Sequence, residues 1–352
     1  MIADRIRAFV ARPEPAEFDA LARAAFAHQF ERIAPYRALC ERQGKTPGSV
    51  ASWRDVPTVP AAAFATVELA TDPPLETFRS SGTLGAETSV HRHPFPDLYR
   101  ATIDAAFPAF CLPRGDRPGA NPAMLALVPP RAVAPESSLS FMVDHVLERF
   151  GGDGSDWAFG ARGVEVGKAR SWLSARQREH RPVLVLATSF ALADLLDFLA
   201  RMNLKLRMAP GSAVFETGGF KGRTRSVSRE EIEERLETHL GIGRDGIVFE
   251  YGMTELTGQC YTRGLLGGDP NLYVAPPWMR VRALDPATLA ELPAGENGLL
   301  AIFDLANVGS ALHLLTEDWG RVEADGFRLE GRAPDAALRG CSLLAEQLAA
   351  GR

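Results

Sequence analysis

Apolar residues recur at intervals of three and four between Glu17 and Cys40 (Phe18, Leu21, Ala25, Phe26, Phe30 and Ile33), which predicts an amphipathic helix packed on a core. Between Trp53 and Ala70, and again between Gly115 and Pro130, short apolar stretches such as MLALVPP alternate with Pro and Gly, the pattern of buried strands that leave by loops. The most strand-like run is PVLVLATSF (Pro182–Phe190). ALADLLDFLARM follows it at helical period, so the pair reads as a strand-then-helix unit. A second unit opens at Ser228. This residue is placed as an N-cap, with Glu231 closing a capping box, Val227 and Ile232 as a staple, Leu236 and Leu240 on one stripe, and Gly241 ending the helix. GIVFEYGM then reads as a buried strand breaking into a glycine turn. Strands alternating with helices predict an α/β fold. GGDGSD (Gly151–Asp156) is the best internal linker, and after Asp285 shorter strands and turns such as GENGLLAIFDL suggest an antiparallel or barrel-like third part.

Composition narrows the class. With 352 residues, 46% of them hydrophobic, the chain can fill about two domains, or one large α/β body with subdomains. Its 44 acidic and 39 basic residues leave a net charge of −5, which argues against a basic nucleic-acid binder. The glycines and prolines fall between apolar runs without a G-x-y period and read as turns. Cys40, Cys111, Cys260 and Cys341 lie far apart, with no C-x-x-C and no nearby histidine pair, so neither a zinc site nor a disulfide scaffold is expected. The N-terminal segment is broken by charge every few residues, and no long uncharged apolar run follows. A cytoplasmic protein without a transmembrane segment is the expectation.

Four segments carry candidate chemistry, and each also has a structural reading. FRSSGTLGAETS (Phe78–Ser89) sets hydroxyls among glycines, so backbone N–H groups and the Ser80, Ser81 and Thr83 hydroxyls can surround phosphate oxygens; the alternative is a Ser/Gly surface turn. It is not a Walker A loop. GIGRDG (Gly241–Gly246) matches G-x-G-x-x-G by letter, but it follows a helix and opens a strand, and so reads as a helix end. No G-x-S-x-G elbow is present, which argues against a serine hydrolase. In FEYGMTELTG (Phe249–Gly258), Tyr251 can stack on a base, Thr254 can donate to phosphate and Glu255 can hold a hard cation. ETGGFKGR (Glu216–Arg223) offers paired glycines beside Lys221, or a tight turn with a surface lysine. TEDWGRVEADGFRLEGRAPDAALRG (Thr316–Gly340) offers Asp318 before a W-G turn, a D-G hairpin signal at Asp325–Gly326, and Arg332 in a G-R turn.

In this order and spacing the four segments resemble the adenylate-forming acyl-activating superfamily. SSGTLG is similar to its S-S/T-G-T-T-G phosphate loop, YGMTE to Y-G-x-T-E, TEDWG to T-G-D-x-G, and GRAPDAALRG to G-R-x-D-D-x-I-K-x-x-G. Within it, the short length, the stretch at Ser137, the T-G-G-F-K-G segment and the ending RGCSLL resemble the LuxE-type acyl-protein synthetases, ligase components of the bacterial fatty-acid reductase complex. The resemblance implies an α/β adenylate-forming large-domain fold, with two α/β subdomains plus a smaller β-rich part. The acyl-adenylating domain would span 1–330, with a possible subdomain boundary near 151–156. A short tail at 331–352 would replace the mobile C-terminal domain.

By the same resemblance, Ser80, Ser81, Gly82, Thr83 and Gly85 would hold the ATP phosphates, Gly218, Gly219 and Tyr251 the adenine, Thr254 the α-phosphate, and Glu255 the Mg²⁺, while Asp318 and Arg332 would contact the ribose. The chain departs from the pattern where Glu87 and Thr88 replace the phosphate loop's Pro-Lys; and since only 20 residues follow Arg332 here, the mobile domain with its lysine is expected to be missing. Lys221 is the candidate replacement cation. The acyl acceptor would be Cys341, with Arg339 favouring its thiolate, ahead of hand-over of a fatty acyl group to a partner reductase; a small buried hydrophobe is the alternative role for this cysteine. Two other functional readings stand beside this one: a ligase passing the acyl group to coenzyme A, a carrier protein or an amine, and a degenerate adenylation fold kept as a non-catalytic binding or scaffolding subunit.

Overall fold

The computed structural model describes residues 1–80, 88–112, 121–218, 228–334, 344–345 and 347–349. In chain order, helices α1 (Ile2–Ala11), α2 (Phe18–Arg32) and α3 (Ala34–Arg42) precede strands β1 (Val59–Pro60), β2 (Glu76–Arg79) and β3 (Val90–His93). Helix α4 (Pro96–Phe110), β4 (Ala123–Leu127) and α5 (Ser138–Phe150) lead to three short strands, β5 (Asp156–Trp157), β6 (Phe159–Gly160) and β7 (Gly163–Val164). Next come α6 (Val166–Glu179), β8 (Val183–Thr188), α7 (Ser189–Arg201), β9 (Ala213–Thr217), α8 (Arg229–Leu240), β10 (Ile247–Tyr251), β11 (Cys260–Thr262) and β12 (Tyr273–Val274). The described strands end with β13 (Met279–Leu284), β14 (Asn297–Asp304), β15 (His313–Glu323) and β16 (Gly326–Arg332).

The α/β class expected from the alternation is what is found, with differences in detail. The single helix expected over Glu17–Cys40 is two, broken at Ile33, whose backbone is extended (φ −106°, ψ 92°). Pro35 is the cause: it has no N–H for the carbonyl of Glu31, and its ring crowds that carbonyl. The strand read as Pro182–Phe190 stops at Thr188, whose hydroxyl accepts from Ala191 N (3.3 Å) and starts α7. The stretch Trp53–Ala70 contains only the two-residue β1 between single 3₁₀ turns at Trp53–Asp55 and Ala61–Ala65. There Asp55 accepts from the N–H groups of Ala51 and Ser52 (3.1 and 3.0 Å), which curls the backbone away from a ladder. Ser228 caps α8 as expected, its hydroxyl accepting from Glu231 N at 3.1 Å, and Gly241 ends it at φ +69°. Helix α8 and the following strand confirm that GIGRDG is a helix end.

The chain forms two compact units. The first comprises residues 1–105, 253–259 and 274–352. In it β13, β14, β15 and β16 form an antiparallel meander, with β1 parallel to β15 (Val59 facing Leu314), while β2 and β3 form a separate hairpin. The expected W-G turn is instead a bulge inside β15, between Trp319 and Gly320. A side chain at Gly320 would collide with the carbonyl of Arg328, so glycine permits the close strand approach. Phe18, Trp53, Phe303 and His313 pack ring against ring at 5.4–6.3 Å beneath the meander. Gln29 on α2, fully buried, donates to the carbonyls of Asn307 and Val308 (3.0 and 3.1 Å) and accepts from Leu312 N (3.3 Å).

The second unit comprises residues 106–252 and 260–273. Its sheet runs β11-β10-β9-β8-β4-β5, parallel throughout except for β11 on β10. Strand β4 is buried along its whole length and β8 at all but its last residue, the continuous apolar pattern of parallel strands covered on both faces. The segment 151–156 lies within this unit, joining α5 to β5. Among the described residues no helix is long and apolar enough to cross a membrane.

Gln29→Leu, close to isosteric, strands two carbonyls and one N–H in the first unit. We expect it to lower stability by about 2–3 kcal/mol in a urea titration, and an unchanged midpoint would show that α2 docks by apolar contact alone.

Candidate functional site

The first unit contains Ser80, Thr254, Glu255, Asp318 and Arg332. Ser80 closes the neck of the β2–β3 hairpin: its N–H donates to Ser89 O (3.1 Å) and its hydroxyl accepts from Ser89 N (3.0 Å). Thr254 and Glu255 lie in a turn beyond β10, and Glu255 is buried, 6% exposed. Side chains of this unit hold backbone polar groups along 254–258. The carbonyl of Thr254 accepts from His91 Nδ1 (2.8 Å), and that of Glu255 from Asn307 Nδ2 (2.8 Å). The N–H groups of Thr257 and Gly258 donate to Asp304 Oδ2 (3.2 and 2.6 Å), and the carbonyl of Thr257 accepts from Gln259 Nε2 (2.8 Å) and Thr102 Oγ1 (3.3 Å). The Thr257 hydroxyl joins His93 Nε2 (2.9 Å) and Asn307 Oδ1 (2.8 Å).

Burial lifts the Asp304 carboxyl to about 6, against the N–H groups of Gly258, Ala306 and Thr257, which hold it down. Gly258 is bound to this arrangement, because a Cβ there would sit 2.5 Å from Met279 Sδ and 3.2 Å from Asp304 Oδ2. Asp318 and Arg332, both expected at a ribose, face each other across β15 and β16 and form an ion pair (3.1 Å). Asp318 is buried, while Arg332 is half exposed and also reaches Glu317.

The second unit contains Gly218 and Tyr251. They lie at the carboxyl ends of parallel strands β9 and β10, the edge where open α/β sheets place ligands. Gly218 follows β9 at φ +76°, a left-handed conformation that favours glycine. Tyr251 is buried and meets Tyr273 edge to face (centroids 6.1 Å, 69°). Around this edge Ser189 Oγ contacts the Glu216 carboxylate and the Gly218 carbonyl, and Thr217 Oγ1 donates to Glu250. Burial raises the Glu216 carboxyl to about 7, opposed by the Ser189 hydroxyl and the Arg229 charge. Arg229 itself stacks 3.5 Å above the Phe249 ring and donates to Tyr273 Oη (2.8 Å) and Asn271 Oδ1 (3.1 Å).

The family model for "Acyl-protein synthetase, LuxE" matches residues 169–349, just over half of the chain. The chain belongs to this family. Its match to the long-chain-fatty-acid–luciferin-component ligase of Vibrio harveyi is 38% identical over 79 residues, which is 20% of this chain and spans only 21% of that protein. A 2-hydroxyisobutyryl-CoA ligase, solved in an open conformation with 2-HIB-AMP and CoA, superposes with a TM-score of 0.66 at 16% identity, covering 91% of this chain and 71% of that one. ATP-bound MatB from Rhodopseudomonas palustris gives 0.51 at 14% identity, covering 73% of this chain and 47% of that one. At such identities these two structures establish the adenylate-forming ligase fold for this LuxE-family chain.

The structure places Ser80, Gly218, Tyr251, Thr254, Glu255, Asp318 and Arg332, while Ser81, Gly82, Thr83, Gly85, Gly219, Lys221 and Cys341 lie outside the described residues. His91, His93, Asp304 and Asn307 in one unit, and Ser189, Glu216 and Glu250 in the other, escaped the reading of the sequence. Glu216 and Glu250 stand inside the ETGGFKGR and FEYGMTELTG segments without a role of their own there; for the others only the alternation of His91 and His93 on one face of β3 is a signal, and an i,i+2 histidine pair has many innocent explanations.

The raised Asp304 carboxyl has a pH signature. The folded state holds its proton more tightly than the unfolded chain (ordinary value 3.8), so this contribution is complete below about pH 4 and lost as pH rises through about 6. The stability of wild type relative to Asp304→Asn should therefore fall by roughly 3 kcal/mol between pH 4 and 7 in urea titrations. A difference that stays flat or grows would show that the N–H donors outweigh burial.

Proposed function

We propose that this protein activates a carboxylic acid, of fatty-acid type, with ATP, and passes the acyl group to a thiol of its own for hand-over to a reductase. The observation that carries the reading is the fixed turn bearing Thr254 and Glu255 directly after β10, the Y-G-x-T-E segment of a LuxE-family chain with an adenylate-forming fold. A substrate carboxylate oxygen attacks the α-phosphorus, the bond to pyrophosphate breaks, and an acyl-adenylate forms. Thr254 would donate to the α-phosphate. Ser80 and the glycine-rich segment after it would meet the other phosphates, Gly218 and Tyr251 the adenine, and Asp318 with Arg332 the ribose. Lys221 is proposed as the cation that offsets developing charge.

Glu255 suits Mg²⁺ by its chemistry: a hard carboxylate oxygen on a backbone pinned by Asn307, for an ion that takes most of its ligands from phosphate and water. Among the described residues no cluster of three or more ligating side chains exists that would compete. When bound, the ion neutralises phosphate charge.

In the second step a thiolate sulfur attacks the acyl carbon, and AMP leaves with the bonding pair. Cys341 is the proposed nucleophile. In support, the other three cysteines are buried and suited to remain thiols: burial pushes Cys40 up to about 12 and Cys111 well above the usual range, and Cys260 is fully covered. Tethering such a thiol to the chain that makes the adenylate raises its effective concentration.

Incubation with ATP, Mg²⁺ and a labelled fatty acid should give a hydroxylamine-sensitive adduct at Cys341, with Cys341→Ser losing the adduct but keeping ATP–pyrophosphate exchange. Exchange without any adduct would assign the acyl group to an external acceptor such as coenzyme A or a carrier protein, and no exchange with any acid would leave a binding or scaffolding role. Glu255→Gln should lower exchange by 10²-fold or more at a temperature where its melt shows the variant folded, and near-normal exchange at saturating Mg²⁺ would remove Glu255 from the metal site.

A further inference from the structure

Two of the hydrogen bonds that hold the 254–258 turn come from histidines of a single strand, and the direction of each follows from its partners. Asn307 Nδ2 donates to the carbonyls of Glu255 and Ala311 (2.8 and 2.7 Å), so its Oδ1 is the acceptor for the Thr257 hydroxyl. That hydroxyl, having given its proton to Asn307, accepts from His93 Nε2–H. His91 carries its proton on Nδ1, donating to the carbonyl of Thr254. The second nitrogens, His91 Nε2 and His93 Nδ1, are buried lone pairs with no hydrogen-bond partner among the described residues, set among the rings of Phe64, Phe78 and Tyr99. Both rings are neutral, since burial lowers His91 to about 4 and His93 well below its usual value.

A buried lone pair without a donor is a stability cost that an apolar residue at either position would not carry. Fold stability alone is thus a poor reason for two such rings. Their donating nitrogens do something an apolar residue cannot: they tie β3, which leads out of the glycine-rich segment, to the turn that bears Thr254 and Glu255.

We propose that His91 and His93 are positioning residues for adenylation, holding Thr254 and Glu255 in register with the hairpin that carries the glycine-rich segment. The inference rests on the reading in which that turn meets the nucleotide. Misplacing an aligned group by about 1 Å costs on the order of 10²-fold in rate.

Geometry supplies a selective test. Asparagine places an amide nitrogen the same number of bonds from Cα as His91 Nδ1, and glutamine does so for His93 Nε2. His91→Asn and His93→Gln should therefore preserve the donors, while the crossed pair His91→Gln and His93→Asn, each different by one methylene, should not. Two measurements apply to all four variants and to His91→Ala: kcat and KM for ATP–pyrophosphate exchange, and amide hydrogen exchange in the peptide covering residues 253–259. We expect kcat to fall about 10²-fold in the crossed and alanine variants with KM for ATP little changed, faster amide exchange in that peptide, and recovery of both in the matched variants. The proposal is overturned if matched and crossed variants behave alike, or if activity loss merely tracks the melting temperature across the set. Absence of pyrophosphate exchange in wild type would instead remove the adenylation reading, and the amide exchange would still decide whether the two histidines hold the turn.

Discussion

One buried carboxylate organises the first unit. Asp304 takes the N–H groups of Thr257 and Gly258 on one oxygen and that of Ala306 on the other, so the turn after β10 and the 3₁₀ segment after β14 share one anchor. A backbone that turns inside a core has no water to satisfy its polar groups, and leaving them unpaired would cost more than most single contacts return. The remainder of the arrangement answers that constraint. Asn307 takes the next carbonyl, Gln29 holds the segment to which Asn307 belongs, Thr102 reaches in from α4, and β3 contributes its two histidines. A carboxylate can stay there because three donors converge on it, even though burial favours its protonated form.

The same constraint explains the glycines that flank the turn. Gly258 leaves the space into which Met279, Trp278 and Asp304 pack, and a side chain at Gly252 would collide with the carboxylate of Glu250, which Thr217 holds. Each glycine of the Y-G-x-T-E-x-T-G stretch thus sits where a buried carboxylate comes close to the backbone. In the second unit the polar groups at the carboxyl ends of β8, β9 and β10 likewise satisfy one another, Ser189 with Glu216 and Thr217 with Glu250. Polar side chains gathered at the ends of otherwise apolar parallel strands are the usual mark of a ligand-binding edge.

The elements that sequence periodicity read well are those whose partners are local. Helix α8 was legible from Ser228 to Gly241 because its N-cap, its C-terminal glycine and its apolar stripe of Ile232, Leu236 and Leu240 all lie within those residues, while Val227 of the expected staple lies outside the described residues. Strands β4 and β8 were legible because burial on both faces leaves an unbroken apolar run. The misread elements depended on a single residue's backbone chemistry, as at Pro35, which splits one expected helix in two, and at Gly320, where an apparent turn is a bulge in a continuous strand.

The candidate site divides along the same line. Thr254, Glu255, Tyr251, Asp318 and Arg332 stand in compact motifs, whose residue types mark them as candidates and whose order carries a resemblance to the adenylate-forming acyl-activating superfamily. The facing of Asp318 and Arg332 was not marked, because it depends on the register of β15 on β16. Nor were Gln29, His91, His93, Asp304 and Asn307, although they fix the turn on which the motif rests. Sequence determines local conformation and the chemistry available within a few residues. Only the tertiary structure decides which distant polar groups must answer a backbone buried away from water, since that demand arises when chain segments separated by as many as 278 positions, as between Gln29 and Asn307, come within hydrogen-bond reach.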